Sequence, residues 1–321
     1  MRKLLVIFLC SGLLPLFSAK PVKHKPAAVN AGMPDLFIVI LGIAQDAGYP
    51  QMGCTGNCCK PYWEGKEEKK FVSSLAIVDR KNGQYWLIDA TPDIREQMHF
   101  LQPFLGTEPN YKPAGVFLTH AHIGHYTGLM EFGREVMGTN GIPVWAMPRM
   151  DTFLRNNGPW SQLVSLGNIK LNALQDKQGV MLNDSLSIQP FKVPHRDEYS
   201  ETVGFVIRSK SRSLLYIPDI DKWEKWDRNI NAMIGKVDVA LLDGTFYRNG
   251  ELPGRDMREV PHPFVEESMK RFDTLSIKDR SKIIFTHFNH TNPLLHEKSP
   301  ERLNLLGHLF RAAVQGQVIA L

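Results

Sequence analysis

The 321-residue chain has only four cysteines, no uninterrupted apolar stretch of the roughly 20 residues a membrane-spanning helix needs, and no strong charge excess. Four cysteines are too few for a fold built on disulfides. With 38 Lys+Arg against 33 Asp+Glu the formal net charge is +5, which gives no warrant for a nucleic-acid partner. Neither G-x-x-x-x-G-K-[ST] nor G-x-G-x-x-G occurs, which argues against nucleotide binding through a phosphate loop. The absence of G-x-S-x-G argues likewise against a serine hydrolase. What remains is ordinary: 43% hydrophobic and 22% charged residues, values that exclude a disordered chain and a polytopic membrane protein.

Arg2 and Lys3 precede the apolar run Leu4 to Phe17, which is followed by Ser18 and Ala19. That is the order of a secretory signal, so residues 1–19 are expected to be a signal peptide; an uncleaved anchor is the other reading. Cleavage near Ala19 would leave 36 cations against 33 anions, a net charge of +3, and no stable membrane anchor. The expected location is periplasmic or secreted. Residues 20–35, rich in Pro, Ala and Lys, read as a flexible leader, and residues 36–321 as a single domain.

Within 36–321, β-rich runs are predicted at Leu36–Leu41, Ser73–Val78, Tyr85–Ile88, Gly115–Thr119, Val144–Met147, Leu186–Val193, Thr202–Arg208, Ser213–Ile217, Val237–Leu242, Lys282–Thr286 and Gln317–Leu321. Helices are predicted at Pro92–Leu101, Tyr126–Met137, Ile220–Ile234, Pro263–Leu275 and Pro300–Ala313. The mixture predicts sheets covered by helices.

The placement of histidine carries the chemistry. VFLTHAHIGHYTGL sets His120, His122 and His125 directly after a predicted strand. Side chains two apart in extended backbone share a face, and a helix start would bring His125 back beside them. Imidazoles are good ligands for zinc and comparable metals, and three of them plus water is a usual catalytic arrangement. His195, Asp219 and His287 also fall at predicted strand ends, where loops can converge on one rim of a sheet. Singly, each has a bland alternative: a loop cation, the N-cap of the helix predicted at Ile220, and a buried ring.

In this order, the set resembles the metallo-β-lactamase superfamily, whose pattern is HxHxDH, a single His, an Asp after a strand and a final His. The resemblance implies an αββα sandwich, two mixed sheets flanked by helices. It implies one metal on His120, His122 and His195, and a second on His125 and His287, with Asp219 bridging. Asp89, in LIDATPD, resembles the family's early structural aspartate. LGIAQDAGYPQMGC, LIDATPDIREQ and HTNPLLHEKSPER resemble the coenzyme PQQ synthesis protein B family more narrowly, and the phosphonate-pathway cyclic phosphodiesterases are a second likeness. HAHIGH departs from the first of these, which typically has a degraded motif. Gly124 departs from the whole superfamily, because it stands where HxHxDH has its aspartate. One firm metal and a weaker second are therefore expected. Asp46, in the loop AQDAGYP, either reaches the vacancy or is an ordinary turn residue.

Cys54, Cys58 and Cys59 cannot all pair with one another. The resemblance implies a CxCxxC structural zinc cluster here, to which the phosphodiesterase-type relative adds a histidine three residues beyond the final active-site His; that position is His290. The spacing here is CxxxCC, and one disulfide with a free thiol is the alternative. His262, in VPHPF, resembles the helix-start histidine that phosphodiesterase branches use to protonate the leaving group, and otherwise reads as a helix-start residue. Tyr126 reads as a packing residue.

The expected function is a metal-dependent hydrolase of a small-molecule substrate, using metal-bound hydroxide on a phosphodiester, ester, lactone or lactam bond, with Asp219 and His262 in catalytic roles. Zinc is the expected ion, with iron or manganese suited to the same ligands. The alternatives are a metal-dependent oxygenase of the coenzyme PQQ synthesis protein B type and a catalytically weak metal- or ligand-binding protein. No nucleic-acid partner is expected, and oligomeric state is not legible.

Overall fold

The computed structural model describes residues 32–106 and 108–321. The expected signal peptide, residues 1–19, lies outside the described residues, as does the expected leader up to residue 31. No helix among the described residues is long and apolar enough to cross a membrane.

The strands are β1 (Leu36–Gly42), β2 (Ser74–Asp79), β3 (Gln84–Ile88), β4 (Gly115–Phe117), β5 (Ile142–Ala146), β6 (Ile169–Ala173), β7 (Val180–Asn183), β8 (Leu186–Lys192), β9 (Val203–Ser209), β10 (Ser213–Ile217), β11 (Val239–Asp243), β12 (Ile283–Thr286), β13 (Arg311–Ala312) and β14 (Val318–Ala320). They form two seven-stranded mixed sheets, ordered β14-β1-β2-β3-β4-β5-β6 and β13-β12-β11-β10-β9-β8-β7. In the first, β1, β2 and β3 pair antiparallel and β3 to β6 parallel. In the second, β7 to β10 pair antiparallel and β10 to β13 parallel.

The sequence dictates which faces meet. Successive side chains of a strand point to opposite faces. In β1, Ile38 and Ile40 join Ile77, Ile88 and Phe117 in the core between the sheets, facing Ile188, Phe205, Ile207 and Leu215. The alternate residues Phe37, Val39 and Leu41 point outward, against Ile94, Met98 and Leu101 of the helix Ile94–Leu105. A strand covered on both faces reads as the continuous apolar run LFIVIL. The expected helix-flanked sandwich of two mixed sheets is thus what the chain forms.

Several element boundaries differ, each for a local reason. Ile220–Ile234 is not one helix: a single 3-10 turn, Trp223–Lys225, precedes a short helix, Ile230–Gly235. The backbone there is committed elsewhere, since Ile220 N donates to Asp243 Oδ2 and Asp221 N to Pro194 O. Asn229, not Asp219, caps the helix, by accepting from Ala232 N. Tyr126–Met137 is a 3-10 segment, Thr127–Phe132, because the chain presses onto its neighbour: a Cβ on Gly128 would lie 2.1 Å from Thr91 O. The helix expected to reach Ala313 stops at Gly307, and Arg311–Ala312 instead joins β12 in parallel. β6, β7 and the helices Pro148–Asn156 and Trp160–Ser165 are further elements, not among those predicted.

Candidate metal centre

The parallel strands of both sheets end at one rim, and the chemistry-bearing residues follow those ends. Beyond β3, Asp89 adopts a left-handed backbone (φ 68°) and is buried. Its carboxylate accepts from Thr119 N at 2.8 Å and Thr119 Oγ1 at 2.9 Å, and faces His125 Nδ1 at 2.7 Å. Beyond β4, His120 Nδ1 lies 3.0 Å from Thr119 Oγ1. His122 is still extended, as the N-cap of the short helix Ile123–Tyr126, and that one turn brings the His125 ring within 4.3 Å of the His120 ring. His195 follows β8, with Nδ1 3.3 Å from Asp221 Oδ1. His287 follows β12, also left-handed (φ 65°), with Nδ1 2.9 Å from Thr245 Oγ1. His120, His125, His195 and His287 each have Nδ1 fixed by an oxygen, which orients Nε2 inward as a metal ligand requires.

Two ligand sets result. His120, His122 and His195 form one; Asp46, His125, Asp219 and His287 form the other, the ligand atoms of each set lying within 4.8 Å of one another. Asp219 stands between them. Its Oδ2 is 3.1 Å from His125 Nε2 and 3.0 Å from His287 Nε2, while Oδ1 is 3.5 Å from His195 Nε2. His120 Nε2 and His195 Nε2 are buried without a hydrogen-bond partner, while buried Asp219 Oδ2 and Asp46 Oδ1 face only the His125 and His287 imidazoles, at 2.9–3.1 Å. Unsatisfied buried polar atoms are rare because each costs desolvation energy. Bare imidazole nitrogens in the first set, and carboxylates packed against imidazoles in the second, fit a divalent cation in each.

Asp46 answers the gap at Gly124. Its Oδ1 lies 2.9 Å from His125 Nε2, and a Cβ on Gly124 would meet Asp46 Cα and Oδ1 at 2.5 Å. The carboxylate arrives from a different loop and fills the volume that a side chain at 124 would need.

The charges fit the same picture. Burial holds His120 well below the usual imidazole range and His122 at about 4, so both rings are neutral near pH 7. Burial opposes protonation of His125 and His287 too, but Asp89, Asp219 and Asp46 override it, raising His125 strongly and His287 to about 10. Burial likewise opposes ionisation of Asp219 and Asp46, yet His287 and His125 hold both carboxyls well below the ordinary range. Protons on His125 and His287 thus stand where a metal ion would replace them.

His262 lies on the excursion after β11. Its Nδ1 is 2.8 Å from Asp243 Oδ2 and 3.6 Å from Asp219 Oδ1. Its side chain is 10% exposed and that of His122 13%, whereas those of His120, His125, His195 and His287 are 0–1%, so His262 and His122 are the rings of the site that reach solvent. Burial alone would lower its pKa; Asp243 raises it. Sequence reasoning missed the supports Thr119, Asp221, Asp243 and Thr245. The one available signal was Asp243, a lone acid ending the apolar strand VALLD. Tyr126 packs against Phe153 and Trp160.

A second cluster lies behind this rim. Among the described residues Cys54, Cys58 and Cys59 are all free thiols, so the disulfide alternative does not describe this structure. Cys54 Sγ and Cys58 Sγ are 3.4 Å apart, and His290 Nδ1 is 3.4 Å from Cys58 Sγ and 3.5 Å from Cys59 Sγ. Three thiols and one imidazole in mutual contact are the donor set of a closed structural zinc site. The two centres share a frame: His287 and His290 sit on one turn, and the Asp46 loop is tied to it through Gln45 N to Phe288 O and Phe288 N to Ile43 O.

Comparison with known proteins gives one family, one relative and two solved structures. A model of the beta-lactamase superfamily domain matches residues 85–288, a span that includes His120 to His287 but not Asp46, the cysteines or His290. The chain is 28% identical over 317 residues to coenzyme PQQ synthesis protein B of Pseudomonas putida, covering 89% of this chain and 100% of that protein. In structure it is similar to Zn(2+)-bound PqqB from Methylobacterium extorquens, with a TM-score of 0.75 and 24% identity over 89% of this chain and all of that one. It is also similar to a diphosphatase from the PhnP family, with a TM-score of 0.60 and 18% identity over 89% and 97% of the two chains.

Proposed function

This chain belongs to the beta-lactamase superfamily, and from that premise we propose that it is a metal-dependent hydrolase of a small-molecule phosphodiester or related ester. The observation that carries the reading is the convergence of buried Nε2 and carboxylate atoms at the rim. His120, His122 and His195 would hold one ion; Asp46, His125 and His287 would hold another, with Asp219 facing both. Bound there, a divalent metal supplies Lewis acidity toward an acyl or phosphoryl oxygen and lowers the pKa of water to about 7. The remaining work falls to the chain. Asp219 fixes the spacing of the two ligand sets. His262, with Nδ1 committed to Asp243, carries a proton on Nε2 toward the leaving oxygen. Asp89 and Thr119 keep the ligand rings from rotating. Zinc is the ion this reading favours, and Cys54, Cys58, Cys59 and His290 would hold a further, structural zinc. The signal pattern in residues 1–19 supports a periplasmic or secreted location.

The test is metal analysis of the purified protein beside His120→Ala and Cys59→Ala, with a panel of phosphodiester, ester, lactone and lactam substrates. Each variant should lose about one equivalent of metal, and His120→Ala all hydrolysis. A wild-type protein that holds no metal would sink the reading. His262→Gln has a separate signature. Its kcat should fall about a hundredfold on substrates with a basic leaving group, and far less when 4-nitrophenolate leaves, with metal content unchanged.

One observation favours a second reading. Two imidazoles with two carboxylates, the set around Asp46, also suit non-haem iron, so the oxygenase that the family resemblance implies is the alternative. Iron in the purified protein together with oxygen consumption would select it. The catalytically weak reading drew its motive from Gly124, and Asp46 removes that motive.

A further inference from the structure

We infer that Arg196 is the substrate-binding cation of this site, and that the substrate carries an anionic group seated between its guanidinium and the His120–His122–His195 ligand set. The inference rests on the metal-centre reading above. Arg196 directly follows His195, and its Nη2 lies 3.3 Å from His122 Nε2, donating to the lone pair that a metal would take. The guanidinium thus occupies the open edge of that set, where the ligand ring is also the least covered; the His122 side chain is 13% exposed.

The loop that carries Arg196 is fastened to the site through its backbone and neighbouring side chains. Ser200, buried, accepts from Ala121 N at 2.8 Å and so fastens the 196–201 loop to the segment between His120 and His122. Thr202 Oγ1 donates to Asp197 Oδ1, and Arg149 Nη2 donates to the carbonyls of Asp197 and Glu198. Arg149 N donates to Glu201 Oε2 at the loop's far end. A divalent ion on the three histidines and a guanidinium held beside it are like charges, unfavourable alone and favourable once an anion lies between them.

The only acid facing both groups among the described residues is Glu198. Its Oε2 is 3.8 Å from His122 Nε2 and its Oε1 is 4.0 Å from Arg196 Nη1. That pair is more than half exposed on both sides, a geometry in which ion pairs are weak, so a ligand anion displaces it at small cost. A phosphodiester or a carboxylate-bearing ester meets the requirement; a neutral ester or lactone does not use the site.

The probe is inorganic phosphate, titrated calorimetrically into the metal-loaded protein. Arg196→Met should weaken phosphate about tenfold, Arg196→Lys less, and Glu198→Gln should tighten it, all with wild-type metal content. With an active phosphodiester such as bis(4-nitrophenyl) phosphate, Arg196→Met should raise KM more than it lowers kcat. Phosphate that binds Arg196→Met as tightly as wild type, or does not bind the wild type at all, overturns the inference. If the protein proves not to be a hydrolase, the phosphate series still reads the anion site by itself.

Discussion

Gly124→Asp, the substitution that restores the superfamily motif, is expected to damage this protein rather than complete it. A side chain at 124 would enter space held by Asp46, with its Cβ 2.5 Å from both Cα and Oδ1 of that residue. Overpacking of this kind costs about 1–3 kcal/mol, and here a second carboxylate is also forced against the first. The expected result is a lower melting temperature and loss of the metal held by Asp46, His125, Asp219 and His287. Asp46→Gly combined with Gly124→Asp should recover both, because one carboxylate then serves the site from the motif's own position. Metal content and thermal unfolding of the single and double variants check this. A stable single variant with full metal content would show that the two positions do not compete.

Asp219→Asn should have the larger effect on activity. Among the described residues, the Asp219 carboxylate lies within 4 Å of His120, His125, His195, His262 and His287, and its Oδ2 faces both His125 Nε2 and His287 Nε2. An amide keeps the shape but places a neutral group between the two ligand sets. The expected loss in kcat/KM is on the order of a thousandfold or more, with metal affinity falling in both sets. In the metal-free protein the same change removes a counter-charge from buried His125 and His287, where breaking an ion pair costs about 3–5 kcal/mol. Urea unfolding with and without metal separates the two contributions. Wild-type kcat/KM in the asparagine variant would remove Asp219 from the reaction.

The sequence made His120, His122 and His125 legible because they lie within six residues, so that strand and helix geometry alone brings them together. His195, Asp219 and His287 were recognisable only as an ordered pattern at strand ends, since nothing local says that two sheets present those ends on one rim. Asp46 was ambiguous for a physical reason: whether a carboxylate fills the space beside residue 124 depends on a contact 78 residues away in the chain. The helix expected at Ile220 failed by the same mechanism that makes the site. Propensity counted the side chains, while Asp243 and Pro194 had claimed the backbone. The Cys54–Cys58–Cys59 cluster pointed to a candidate metal site from composition, but the fourth candidate donor, His290, lies 231 positions from Cys59 and rested on resemblance alone.

The loop that carries Asp46 runs on to Cys54, and the turn that carries His287 runs on to His290, with Gln45 and Phe288 joined between them. The thiol cluster and the ligand set of Asp46 and His287 are therefore mounted on the same two segments, so a change at Cys54, Cys58, Cys59 or His290 bears on the spacing of Asp46 and His287 through shared backbone.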